Sequence, residues 1–363
     1  MAWKLSCRTI LLLMVFWGQI QNYMMRVNLS ILIVEMVKDP VKNSTQTEAS
    51  NQTVTKTCMV NREWEQEMTQ EVLEQKANEG FEWDEVMQGY VLSAQSIGYV
   101  TTQILGGRMT EYFGVKKVYG LGLFLTTILT FLSPIVAKLH VYAFMVLRIF
   151  IGIFEGVTFP ALQAMTTRWI PVKERNSFMA RSYFGSVFGL VITFPLCGYL
   201  SDQLGWESAF YVIGCISTIW FIFWWFLVFD TPDKHPRIET SELTYIKNEL
   251  GATIDEKPKP VPWKSIVTSV PVWALVITDC GNCWGLMTLG SKGPAYLKYI
   301  LGVDIKMNGI LSGIPMLSRY LGGVTWALMA DWLIAQGHMS IVWVRRIFNR
   351  YCNSVYSFQQ HFY

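Results

Sequence analysis

Residues 141–162 read VYAFMVLRIFIGIFEGVTFPAL, an apolar run long enough to cross a bilayer that also carries Arg148 and Glu155. The two charges stand seven residues apart. That is about two helical turns, so both side chains project from one face, roughly 10 Å apart. A charge at the centre of a membrane-spanning helix costs about 2.5–3.5 kcal/mol on insertion scales. The stripe should therefore turn away from lipid, toward a protein interior or a water-filled cavity. Intramembrane charges of this kind are functional candidates. The structural alternative is an ion pair that pins neighbouring helices.

The rest of the chain supports a membrane reading. It has 363 residues, 52% of them hydrophobic and only 16% charged, against about 25% charged in an average soluble domain. The mean hydropathy of +0.28 is too apolar for one soluble core. The 15 Trp and 21 Phe suit lipid-facing and interfacial positions. A net charge of +3, with no basic run interleaved with aromatics, argues against a nucleic-acid protein. Seven Cys, most of them in apolar segments, do not suggest a disulfide framework. Cys280 and Cys283 form a CxxC inside the apolar WALVITDCGNCWGLM, where small residues for helix packing explain it better than redox chemistry or zinc.

Apolar runs long enough to span about 30 Å fall near residues 9–36, 86–107, 117–137, 141–163, 178–200, 208–229, 270–290 and 308–333. This predicts an all-α, polytopic protein of about eight transmembrane helices. The first run follows Lys4 and Arg8 but lacks a small-residue cleavage site, so it reads as a retained span. Basic residues set the orientation. They cluster in alternate loops: Arg108, Lys116 and Lys117; Arg168, Lys173 and Arg175; and six between Lys234 and Lys264. These loops and both termini should be cytosolic. The 37–85 loop then faces the lumen or the outside, and there Asn43-Ser44-Thr45 and Asn51-Gln52-Thr53 are glycosylation sequons. Glu35, at the outer end of the first span, reads as reaching the interface.

The expected domains follow. Residues 1–229 form a six-helix bundle, and 230–269 a cytosolic loop holding the helix candidate SELTYIKNEL and the Pro-rich EKPKPVPW. Residues 270–333 begin a second bundle, and 334–363 form a cytosolic tail. After Trp332 no further apolar run of about 20 residues occurs, so the chain reads as C-terminally truncated.

Between the second and third spans lies GGRMTEYFGVKK. Gly107, Glu111, Gly114, Lys116 and Lys117 fit G-x-x-x-[DE]-x-x-G-x-[KR]-[KR]. Gly107 would allow close helix approach and Gly114 a tight turn. The acid could bind helix-end amides or a basic partner across a moving interface. The alternative is an ordinary basic cytosolic turn. The pattern resembles the loop signature of the major facilitator superfamily, with a weaker echo in ALMAD, ending at Asp331.

Further stretches resemble one family within that superfamily. They are YMMRVNLSILIVEMV, GYVTTQILGGR, RIFIGIFEGVTFPAL, LGWESAFYVIG and DTPDKHPRI. Together they look like the anion:cation symporters that include type-1 sodium/phosphate cotransporters, sialin and vesicular glutamate transporters. Insect members described as inorganic phosphate cotransporters are especially similar. The resemblance implies a fold of major facilitator type and symport of an inorganic or organic anion with Na+ or H+. It matches Arg26 to an arginine associated with the anionic substrate. It matches Arg148 and Glu155 to a fourth-span arginine and glutamate, the glutamate tied to proton coupling.

The residues support these roles. Arg26 is a lone cation in an apolar helix, and its fork suits carboxylate or phosphate. Burial and the neighbouring arginines pull the protonation of Glu155 in opposite directions, and a bound anion would change that balance. The chain departs from the vesicular glutamate transporters at Leu92, where they have histidine, and at Asn282, where they have arginine. Asp279 and Arg319 are two extra intramembrane charges. The expected substrate set is thus Arg26, Arg148, Asn282 and Arg319, with Glu155 and Asp279 for ion coupling. A bridge between the two later helices is the structural alternative for Asp279 and Arg319.

His140, His235, His338 and His361 lie in loops or the tail. No HExxH, GxSxG or P-loop occurs, so neither an enzyme, a metal site nor a cofactor is expected. The expected partners are a small anion and the lipid bilayer, in the plasma membrane or a lysosomal or vesicular one. A second reading makes the chain a transport-inactive membrane partner of a full-length homologue.

Overall fold

The computed structural model describes residues 6–37, 80–171, 174–250, 263–335 and 343. Asn43 and Asn51 lie outside the described residues, as does most of the loop that carries them. Helix α1 (Cys7–Met36) starts at Ser6, whose hydroxyl accepts from the Thr9 amide. Helix α2 (Glu85–Phe113) starts at Asp84, whose carboxylate accepts from the Met87 amide at 2.7 Å. Both are side-chain caps for amides that the first helical turn leaves without carbonyl partners.

A single residue, Gly114, separates α2 from α3 (Val115–Leu139). Its φ of +85° lies where a Cβ is strained, which is why glycine stands there. His140 leads into α4 (Val141–Gly156). The expected single span over 141–163 is interrupted at Val157, and α5 (Thr158–Trp169) continues it. Pro160 supplies the reason: it has no amide for the carbonyl one turn back, and its ring crowds that carbonyl. Helix α6 (Arg175–Leu204) and α7 (Trp206–Leu227) follow, joined by Gly205 at φ +82°. Next come α8 (Thr240–Leu250), the short α9 (Trp263–Val267), α10 (Val270–Tyr299) and α11 (Ile305–Ala335). The SELTYIKNEL candidate is therefore helical, as α8.

Among the described residues, four helical spans are long and apolar enough to cross a membrane: Val115–Leu139, Val141–Trp169, Ser177–Leu204 and Trp206–Leu227. Helices α1, α2, α10 and α11 are as long, at 29–31 residues, but hold more polar side chains. In α1 those side chains are spoken for. Gln19 donates to the Tyr119 hydroxyl at 3.3 Å and accepts from Ser186 at 3.0 Å. Gln21 accepts from Ser217 at 3.0 Å. A buried amide without partners costs about 1–3 kcal/mol, so these bonds to α3, α6 and α7 make α1 a central helix enclosed by protein.

Close backbone crossings hold the first bundle together. A Cβ on Gly98 would collide with the Ile149 carbonyl, and one on Gly152 with the Gln95 carbonyl. Helices α2 and α4 thus meet through small residues, as helices in lipid commonly do. The same device joins the later helices to the bundle. A Cβ on Gly309 of α11 would lie 2.6 Å from the Phe194 carbonyl of α6.

At the start of α1, the loop helix α8 is docked. Glu242 accepts from the amides of Cys7 (3.0 Å) and Arg8 (3.2 Å), while Arg8 reaches Glu174 at 2.7 Å. Tyr245 adds a hydroxyl bond to Glu174 at 2.9 Å. The carboxylates complement the positive end of the α1 dipole.

Candidate functional site

The site lies where α1, α2 and α4 meet. The Glu155 side chain is 1% exposed, and its Oε1 lies 3.5 Å from Nη1 of Arg26, whose side chain is 17% exposed. Its Oε2 accepts a 2.6 Å bond from the Gln95 amide. The Arg26 guanidinium lies over the Tyr99 ring at 4.2 Å and near Tyr23 at 5.8 Å, both within cation–π range. Beneath, Thr158 donates to the Glu155 carbonyl at 2.7 Å and accepts from Asn22 at 3.2 Å. The α2–α4 crossing brings Gln95 and Glu155 into register, because the Gln95 carbonyl lies against Gly152, one turn before Glu155.

Arg148 shares α4 with Glu155 and is 2% exposed. It lies within electrostatic reach of that carboxylate, yet its buried Nε has no hydrogen-bond partner. Among the described residues it makes no ion pair. The stripe expected from the sequence therefore divides. Glu155 joins Arg26 across helices, and Arg148 contributes charge without direct contact.

Asn282 and Asp279 fall on α10 and Arg319 on α11, but their side chains lie outside the described residues. Gln95, Tyr99, Tyr23 and Asn22 were not singled out by sequence reasoning. The available signal was faint: neutral polar residues one or two turns from the matched positions.

The loop motif lies elsewhere, at the α2–α3 turn. A Cβ on Gly107 would lie 3.9 Å from the Pro160 Cβ. Glu111 pairs with Arg108 of its own helix at 2.8 Å. The acid that binds a helix-end amide is Asp230, which accepts from the Lys116 amide at 2.8 Å and fills the space beside Gly114. The Lys116 ammonium lies over Phe229 at 4.5 Å, and Lys117 is exposed.

The family model described as Major Facilitator Superfamily matches residues 15–348. This chain belongs to the major facilitator superfamily. It is 37% identical over 344 residues to the Homo sapiens protein named "Sialin", an alignment covering 95% of this chain and 67% of that protein. It is 33% identical over 340 residues to the Drosophila ananassae protein named "Putative inorganic phosphate cotransporter", covering 93% and 68%. Among solved structures, a bacterial homolog to the human lysosomal transporter Spinster, inward-facing and unoccupied, superposes with a TM-score of 0.60 at 14% identity. That match covers 91% of this chain and 64% of the other. The chain thus spans about two thirds of the length of the relatives it matches. As a member of the superfamily it is a multi-pass helical membrane protein of the transporter type, and its relatives are transporters rather than enzymes.

Proposed function

We propose that this protein carries out secondary symport of a small anion, phosphate or a carboxylate such as sialic acid, coupled to H+ or Na+. Residues 1–229 form the first bundle, 230–269 the cytosolic connection and 270–333 the opening of a second bundle. The anion sits between bundles that rock around it. All eight long spans cross the bilayer, with both termini cytosolic and the sequon-bearing loop outside, in the plasma membrane or a lysosomal or vesicular one.

One observation carries the reading: two guanidiniums, Arg26 and Arg148, stand around one carboxylate, Glu155. The cluster keeps an excess positive charge and suits an anion. Arg26 is the member with an open side, so the anion binds there, competing with Glu155 for the fork. Arg148 adds attraction from within. Asn282 and Arg319 complete the substrate contacts from the later helices, and Asp279 assists coupling. A sodium ion at Glu155 would face both guanidiniums, whereas a proton neutralises the carboxylate by bonding to its oxygen. The proton is therefore the partner this cluster favours.

The experiment is uptake of labelled phosphate and N-acetylneuraminate into proteoliposomes under an imposed pH or Na+ gradient. Glu155→Gln should abolish gradient-driven accumulation while anion binding survives. Unchanged accumulation by the variant would overturn the coupling role.

A further inference from the structure

Gln95 is buried, 4% exposed, and its amide lies 2.6 Å from Glu155 Oε2. Its backbone is held in place, since its carbonyl lies against Gly152, and only the terminal amide need turn. A primary amide is both donor and acceptor. Turned one way, its NH2 serves a carboxylate. Turned the other, its carbonyl accepts from a carboxylic acid. Arg26 and Arg148 can only donate, so neither can accept the hydrogen bond that the acid's O–H offers.

We infer that Gln95 is a positioning residue that holds Glu155 in both protonation states, so that Glu155 can give up Arg26 to an anion and take a proton while keeping its side-chain hydrogen bond to the amide. This rests on the anion–proton reading of the same site. The balance is simple. Before the anion arrives, two guanidiniums and one carboxylate leave one positive charge at the site. A monoanion on Arg26 together with a proton on the Glu155 oxygen leaves that total unchanged. A buried carboxylate stripped of its ion pair is costly. The acid held by an amide acceptor is not, so anion entry and protonation are tied together.

Among the described residues the charged groups facing Glu155 are Arg26 from α1 and Arg148 from α4; Tyr23 of α1 and Tyr99 of α2 stand beside Arg26, with Tyr183 of α6 near the two tyrosines. None of them offers an aprotic acceptor matched to a carboxylic acid in the way the amide carbonyl does.

The test is pH-difference infrared spectroscopy of the purified full chain in detergent, followed through the carboxylic-acid carbonyl band. The band assigned to Glu155 is the one lost in Glu155→Gln. Gln95→Met keeps the side-chain length and removes both hydrogen-bonding functions. Gln95→Asn keeps the amide but draws it out of reach. Both should shift the carbonyl frequency and move the titration midpoint by about tenfold in proton concentration. Using the two variants keeps the test usable if one of them misfolds. Wild-type frequency and midpoint in a folded variant would overturn the role of Gln95 and leave that of Glu155 standing. Absence of any Glu155-dependent band at every accessible pH would overturn the proton reading itself, and this inference with it.

Discussion

Lys298, near the end of α10, reaches across to the end of α1 and donates to Glu35 at 2.6 Å. The same ammonium donates to the Val34 carbonyl at 3.0 Å. The last carbonyls of a helix lack amide partners and carry the negative end of its dipole, so a lysine there satisfies two demands at once. Glu35 is therefore not merely reaching an interface, as its position in sequence suggests. It belongs to a junction between the first bundle and the later helices. That junction continues in the α6–α11 crossing, where Lys306 lies 5.9 Å over the Tyr199 ring. Farther along α11, Leu317 and Leu321 are exposed. Among the described residues the polar contacts between α1 or α6 and the later helices gather at this end.

The first prediction concerns this junction. Glu35→Gln or Lys298→Ala should favour separation of α10 and α11 from the first bundle. The pair is partly exposed, at 32% and 20%, so its worth is about 1 kcal/mol or less. That corresponds to roughly a fivefold change in population. Spin labels at positions 199 and 306 would report it as a longer, broader distance distribution. The charge reversal Glu35→Lys with Lys298→Glu should restore the short distance, although the Val34 carbonyl would then lack its donor. An unchanged distribution in both single variants would show that the glycine crossing alone holds this end.

The second prediction concerns Arg26 and Glu155. Arg26→Ala leaves a fully buried carboxylate with Gln95 as its one direct side-chain partner among the described residues. Breaking one half of a buried pair typically costs about 3–5 kcal/mol. The loss here should sit at the lower end, because the acid can take a proton and Arg26 is itself partly open. Glu155→Gln added to Arg26→Ala should recover part of that loss. Thermal unfolding of the purified variants, read as a double-mutant cycle, measures the coupling directly. Strictly additive effects would mean that the 3.5 Å approach contributes nothing to stability.

How much of this could be read from the chain depends on the physical range of each signal. Hydropathy locates helices because burial in lipid acts on a whole segment, and all eight apolar runs are helical. Their ends moved because caps such as Ser6, Asp84 and His140 act on single amides. The break at Val157 was masked by a run that stays apolar through Pro160. Arg26, Arg148 and Glu155 stood out because charge is expensive in lipid. Gln95 did not, because a neutral amide disturbs the hydropathy of α2 little. Lys298 and Glu35 are 263 residues apart, and only the folded arrangement of α1 and α10 joins them. In the loop motif the spacing pointed to Glu111, while the Lys116 amide is taken by Asp230, 114 residues away.

The third prediction is a pH dependence at the start of α1. His235 packs edge-on against Trp169 (5.9 Å) and Phe229 (4.8 Å), and its Nδ1 accepts from the Arg237 amide at 3.2 Å. The Cys7 sulfur lies 3.6 Å from the same nitrogen. Burial holds this imidazole below the ordinary histidine range; Arg237 and Lys116 push the same way, against Glu242 and a backbone bond. When the loop detaches, the ring regains the ordinary value of about 6.5. The detached state therefore binds more protons below that pH, and docking weakens as the pH falls through it. Above that range both states are neutral and docking is independent of pH. The protection of the α8 amides against hydrogen exchange, taken relative to the intrinsic rate at each pH, should accordingly fall on mild acidification. His235→Gln keeps an acceptor near Nδ1 but cannot titrate, so protection in that variant should be flat over the same interval. If wild type and variant lose protection together, the acid sensitivity does not belong to the imidazole.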